Sequence, residues 1–207
     1  MENRGRFIVF EGIDGSGKST QIKFLSKYLQ EKGISCFVTS EPTESPFGAL
    51  VRSCLTGRVD ADEHTIAALF AADRLDHIHN RVNGIKKKLE EGVTVLCDRY
   101  YFSSFAYNGG LVDTEWVISL NTPAMEALRP DLTVFIDLTP EEGMSRVVRR
   151  GETDRYETLE RQKRIREKYF ELFKRFKEEN VRIVASDADK NCTQAHIREI
   201  VNEELGI

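Results

Sequence analysis

Gly12-Ile13-Asp14-Gly15-Ser16-Gly17-Lys18-Ser19 stands between an apolar run and an amphipathic one, and its order of glycines, lysine and hydroxyl fills the template of a phosphate-binding loop. The template needs a strand before it and a helix after it. Arg6 to Glu11 supplies the strand, since Phe7, Ile8, Val9 and Phe10 form the continuous apolar run of a parallel strand covered on both faces. Beyond the loop, Ile22, Leu25 and Leu29 recur at helical spacing. Glycines allow backbone N–H groups to turn inward around an anion, Lys18 adds a point charge toward the outer phosphates, and the Ser19 hydroxyl can ligate magnesium at the helix start. The stretch implies a bound triphosphate. It does not say what is done with it, because GTPases, ATPases, small-molecule kinases and inactive relatives share the loop.

Outward from the loop, further strand patterns at Ser35 to Thr39, Thr94 to Cys97, Thr133 to Asp137 and Arg182 to Ala185 alternate with helical ones. That alternation predicts a three-layer α/β fold, a five-stranded parallel sheet with helices on both faces. At 207 residues the chain suits one buried core, and no Pro/Gly/Ser-rich linker divides it, so a single domain over 1–207 is expected. A net charge of -4 argues against a nucleic-acid surface, and no apolar run approaches a membrane span. The expected partners are small molecules. Cys36, Cys54, Cys97 and Cys192 are scattered without metal spacing, which reads as reduced thiols in a cytoplasmic protein. His64, His77, His79 and His196 form no ligand or triad pattern and are expected at the surface.

In a parallel sheet, ligands sit at the carboxyl ends of the strands. After the second strand come Glu41-Pro42 and, on the next helix, Arg52. Phe70 and Arg74 are four apart on one helical face, so an aromatic ring and a guanidinium could stack on a base and bond its edge. Spacing alone favours the plainer alternative, Phe70 as core and Arg74 as a solvated charge. The third strand runs into Asp98-Arg99-Tyr100, where a carboxylate beside a phosphate loop can hold magnesium or its water shell. Ser103, Ser104, Tyr107 and Asn108 follow on a short helix. After the fourth strand a helix opens at Pro140, and Arg146, Arg149, Arg150 and Arg155 cluster around Gly151, an arginine-rich lid at about 141–156 or else a solvated basic patch. Ser186 to Asp189 is a polar loop that could flank a purine or simply turn the chain.

Together these residues resemble the thymidylate kinase family. The resemblance is carried by Phe10 to Thr20, by Leu69-Phe70-Ala71-Ala72-Asp73-Arg74, by Asp98-Arg99-Tyr100 with Ser103, Ala106 and Tyr107, by Pro130-Asp131-Leu132-Thr133 and by Arg150-Gly151-Glu152-Thr153-Asp154-Arg155. It implies ATP as donor on Gly12, Ile13, Asp14, Gly15, Ser16, Gly17, Lys18, Ser19, Thr20 and Arg146, with Mg²⁺ near Ser19 and Asp98. It implies dTMP as acceptor on Glu41, Arg52, Phe70, Arg74, Arg99, Ser103, Ser104 and Tyr107. Phe70 would stack on thymine, Arg74 and Ser104 address its polar edge, Tyr107 occupy the space of a ribose 2'-hydroxyl, and Arg52 and Arg99 hold the acceptor phosphate. Lys18, Asp14, Arg99 and Arg150 would be the catalytic set. Family members carry a transition-state arginine at the position of Gly15 or in the lid, and this chain is similar to the second group. Asn108 departs from the glutamine common in bacterial members. A homodimer is implied too.

Two rivals remain. A deoxynucleoside kinase shares the loop and a Glu-Pro, but its neutral 5'-hydroxyl acceptor needs a carboxylate base, whereas Arg52, Arg74 and Arg99 suit an anionic acceptor. A non-catalytic nucleotide switch needs neither an acceptor-site arginine set nor a lid.

Overall fold

The computed structural model describes residues 4–150 and 158–206, without the side chain of Arg150. The expected sheet is present: β1 (Phe7–Glu11), β2 (Cys36–Ser40), β3 (Thr94–Asp98), β4 (Leu132–Asp137) and β5 (Val181–Ala185) pair in parallel in the order β2-β3-β1-β4-β5. Boundaries differ from expectation by one residue, the largest consequence being that Asp98 ends β3 instead of following it.

Alternate strand residues divide the core into two layers, as the two faces of a pleated strand require. Ile8, Phe10, Leu96, Val134 and Ile136 pack on α1 (Lys18–Glu31) and α9 (Lys190–Leu205) through Ile22, Leu25, Leu29, Ile197 and Val201. Phe7, Val9, Val95, Cys97 and Phe135 face the other way. They meet α5 (Tyr101–Tyr107), α6 (Thr114–Ala127) and α8 (Leu159–Arg175) in an aromatic layer containing Tyr101, Phe102, Phe105 and Tyr169.

The remaining helices frame the carboxyl ends of the strands. Ser45 caps α2 (Pro46–Leu55) by accepting from the Gly48 amide, and Asp62 caps α3 (Glu63–His79) by accepting from Thr65, the side-chain acceptors that helix starts favour. A short α4 (Ile85–Glu90) leads into β3. After β4, α7 (Pro140–Arg150) carries the first part of the expected lid, while 151–157, with Gly151 and Arg155, lies outside the described residues. Among the described residues no helix is long and apolar enough to cross a membrane.

Candidate active site

The loop joins the buried end of β1 to α1. Its Gly12, Gly15 and Gly17 have φ of 148°, 78° and 95°, values that L side chains rarely adopt, so glycine is required by the turn itself. Gly15 is constrained twice: a Cβ there would lie 2.4 Å from the Gly143 carbonyl oxygen. Gly143 is equally close-packed, since its own Cβ would meet the Asp14 oxygen at 2.7 Å. The first turn of α7 therefore rests directly on the loop, and Arg146 Nη1 reaches the Ser186 hydroxyl at 3.2 Å and the Gly15 carbonyl at 3.4 Å. No side chain fits at position 15 without moving α7.

Lys18 is buried and donates to the carbonyls of Gly12 and Ile13 at 3.1 and 3.2 Å. Burial, with the nearby Arg99 charge adding to it, pulls its pKa down to about 8. The Ser19 hydroxyl donates to Asp98 Oδ2 at 2.6 Å, pairing a hard-oxygen hydroxyl with a carboxylate at the head of α1. These are the two groups a magnesium ion would use here. Among the described residues there is no cluster of three or more metal-ligating side chains, so such an ion would take most of its ligands from phosphate and water.

Beside the loop lies a cavity lined by Asp14, Glu41, Pro42, Leu55, Phe70, Arg74, Arg99, Ser103, Ser104, Tyr107, Asn108, Arg161 and Gln162. Sequence reasoning named Glu41, Phe70, Arg74, Arg99, Ser103, Ser104 and Tyr107 for one ligand, and the fold brings them together. Arg52 is not part of this lining. Its guanidinium holds the carbonyls of Pro42 and Thr43 and reaches Glu44 at 3.4 Å, so in this structure it clamps the turn between β2 and α2.

At one end of the cavity Arg74 is 1% exposed, contrary to the plainer expectation of a solvated charge. Its Nε and Nη2 meet Glu41 Oε2 at 2.8 and 2.6 Å, its Nη1 donates to Ser104 Oγ at 3.0 Å and also to Asn121, and its guanidinium lies 5.3 Å from the Tyr100 ring centroid. His77 corrects the expectation of a surface histidine. It is buried because its two ring nitrogens bridge Glu41 and Thr39, at 3.0 and 2.8 Å.

At the other end, Arg99 has a φ of 73°, an uncommon value for a residue with a side chain. The fully buried Glu11 carboxylate holds this bend by accepting from the amides of Tyr100 and Ser103, the Ser103 hydroxyl and Tyr169. Burial raises the Glu11 pKa, and the bonds from Ser103 and Tyr169 and the Arg99 charge offset only part of that. Arg99 in turn donates to Asp14, to Ser103 Oγ at 3.0 Å and to the Tyr107 hydroxyl at 3.1 Å. Burial alone would raise Asp14. Arg99, then Lys18, then bonds from Gln162 and Tyr107 carry it below the usual carboxylate range instead. Asp14 thus links the phosphate loop to the cavity as a stable carboxylate.

Residues that sequence reasoning did not single out are Gln162, Arg161, Leu55 and Asn121. Gln162 donates to Asp14 Oδ2 at 2.8 Å across 148 positions of sequence, and no local signal announces such a contact. Asn121 could have been suspected only as a polar residue on the apolar face of α6. Asn108, a departure noted in the sequence, lines the cavity with an amide nitrogen that has no partner among the described residues.

Comparison with known proteins was made against this geometry. The sequence profile of the thymidylate kinase family matches residues 10–197. A probable thymidylate kinase of Thermococcus gammatolerans is 40% identical over 211 residues, covering 97% of this chain and 98% of its own length. One from Pyrococcus abyssi is 38% identical over 209 residues, with 98% of each chain covered. The thymidylate kinase of Carboxydothermus hydrogenoformans is 42% identical over 175 residues, 82% of this chain and 84% of its own.

Proposed function

The chain belongs to the thymidylate kinase family, and from that premise we propose how its residues divide the work of moving a phosphoryl group from ATP to dTMP, giving dTDP and ADP. The observation that carries the reading is the position of Arg99, whose guanidinium lies between the phosphate loop and the cavity, bonded to both Gly12 and Asp14. A cation at that junction suits an acceptor that already carries charge. ATP takes the loop, with backbone amides and Lys18 on its phosphates and Arg146 beside Ser186 toward the nucleoside. The acceptor lies in the cavity, its base on Phe70 against Ser104 and Arg74 and its phosphate toward Arg99, leaving Tyr107 against the sugar.

Two phosphate groups repel one another, and most of the catalytic work is to hold them in line while charge spreads over the transferred oxygens. Lys18 and Arg99 meet that charge from the fixed part of the site. An anionic acceptor oxygen needs no strong base, and Asp14 orients Arg99 and Tyr107 instead of removing a proton. Ser19 and Asp98 are the residues that would hold a magnesium ion, which would supply positive charge to offset part of the phosphate charge. Since Gly15 has no room for a side chain, we assign the transition-state arginine to the lid, at Arg150. Arg52 joins the acceptor site only by exchanging its carbonyl partners for the substrate phosphate.

We propose further that 1–207 acts as one kinase domain with its lid at about 141–156, working as a homodimer in the cytoplasm. Light scattering of the purified protein tests the dimer. For the activity, a coupled assay with ATP and magnesium across a panel of nucleosides and monophosphates should give turnover chiefly with dTMP. Turnover with nucleosides alone would favour the nucleoside kinase reading, and none at all would favour a silent switch.

A further inference from the structure

His77 sits one turn beyond Arg74 on α3 but on the far side of Glu41 from the cavity, where it lines a broad groove beside β2 instead. It does not line the cavity itself but contacts Glu41, which does. Its Nδ1 is 3.0 Å from Glu41 Oε1 and its Nε2 is 2.8 Å from the Thr39 hydroxyl. An ionised carboxylate only accepts, so Nδ1 carries a proton and donates to Glu41, while Nε2 shares a bond with the Thr39 hydroxyl. The remaining Glu41 oxygen, Oε2, accepts from Arg74 Nε at 2.8 Å and lies 2.6 Å from Nη2, which leaves Arg74 Nη1 for Ser104 Oγ at 3.0 Å. Ser104 Oγ, already accepting from Arg74, keeps its own proton for an acceptor in the cavity.

We infer that His77 is a positioning residue for base selection, acting through Glu41 and Arg74 to fix the hydroxyl of Ser104 as a donor toward the base. The bonds fix each donor in turn: His77 and Arg74 both donate to Glu41, Arg74 also donates to Ser104, and Ser104 is left to donate to the base. A donor at that place matches a carbonyl on the ring edge and mismatches an amino group, which separates thymine from cytosine. Removing the His77 proton donor strands Oε1 of a carboxylate whose side chain is 2% exposed. Glu41 then turns both oxygens to the Nε–Nη2 edge of Arg74 and tilts the guanidinium, so that Nη1 loses its aim at Ser104, because a buried unpaired oxygen costs more than the rearrangement. The inference rests on the reading that this cavity takes the acceptor base.

The test exploits the distinct positions of the two ring nitrogens. The amide of an asparagine can stand in for Nδ1, and that of a glutamine for Nε2. Steady-state kinetics on His77→Leu, His77→Asn, His77→Gln and Ser104→Ala should show KM for dTMP raised about fivefold in the leucine variant, the effect of one lost neutral hydrogen bond to the base. kcat and KM for ATP should stay near wild type, the preference for dTMP over dCMP should narrow, and asparagine should restore both where glutamine does not. Glutamine rescuing as well as asparagine would overturn the inference, as would a leucine variant that loses kcat and ATP affinity in equal measure. Ser104→Ala separates the levels. If it leaves KM for dTMP unchanged, the base reading itself fails; if it raises KM while His77→Leu does not, only the role of His77 fails.

Discussion

The donor loop and the acceptor cavity share Asp14 and Arg99, yet they are built from different material. The loop presents backbone: its glycines adopt conformations closed to other residues, and Lys18 is its one cation. The cavity presents side chains already paired with one another, Glu41 with Arg74 and His77, Asp14 with Arg99, Gln162 and Tyr107, while the Asn108 amide nitrogen has no partner among the described residues. On the proposed reading, the difference teaches that the loop would recognise what all nucleotides share and that selection would come from the cavity. The cavity itself is uneven. The Arg74 pair is 1% and 2% exposed and saturated, the Arg99 pair 19% and 26%, so the base end is fixed and the phosphate end can exchange partners with a substrate.

Arg99→Ala gives the sharpest test of that unevenness. It removes the cation assigned to the acceptor phosphate, and a fixed group that meets charge in the transition state is worth up to about 4 kcal/mol, so kcat/KM for dTMP should fall about a thousandfold. ATP binding, measured by calorimetry, should survive. Equal loss of both would merge the two regions into one.

Next in size is Arg150→Ala, whose expected loss in kcat is about a hundredfold with little change in KM, since the contact forms mainly in the transition state. Arg149→Ala, on another face of α7, should do much less. If Arg150→Ala stays within about threefold of wild type, well under the 1.4 kcal/mol of a tenfold loss, the lid assignment is wrong.

The titration of Lys18 belongs to the donor side alone. With its pKa held near 8, log kcat/KM for ATP should decline above about pH 8, about tenfold per unit, because that ratio reports the free enzyme. kcat should hold to higher pH, where bound phosphates favour the charged lysine. For stability the sign is opposite: between about 8 and the ordinary 10.5 the unfolded chain keeps a proton that the folded chain has released, so this group makes the fold more stable as pH rises through that window. A flat ATP profile would remove Lys18 from the account of the loop.

The smallest effect concerns the sugar. Tyr107 is held between Arg99 and Asp14, at 3.1 Å from each, so its ring has a fixed place. Tyr107→Ala should narrow the preference for dTMP over ribothymidine monophosphate and Tyr107→Phe should keep it, because exclusion by the ring is steric. An unchanged ratio in the alanine variant would contradict the assignment.

What could be read from the sequence follows the same division. Gly12 to Ser19 and its flanks are contiguous, and the chemistry of a phosphate loop lies in local spacing, so loop, strands and sheet were all legible. Phe70, Arg74 and Arg99 were legible as types, but the burial of Arg74 was not, because it depends on Glu41, Ser104 and Asn121 from three other segments. His77 was misjudged for the same reason: its partners, Thr39 and Glu41, lie 38 and 36 positions away. Gly143 gave no hint that it blocks position 15, since a close approach of two glycines is a property of packing alone.

The central claim is that the cavity was built for an acceptor that arrives charged, with Arg99 waiting for its phosphate. Initial rates with dTMP and with thymidine, measured side by side with ATP and magnesium in wild type and Arg99→Ala, address it directly. The account predicts that wild type turns over dTMP far faster than thymidine and that the variant loses its rate with dTMP selectively. Thymidine phosphorylated as fast as dTMP by the wild-type protein would contradict it.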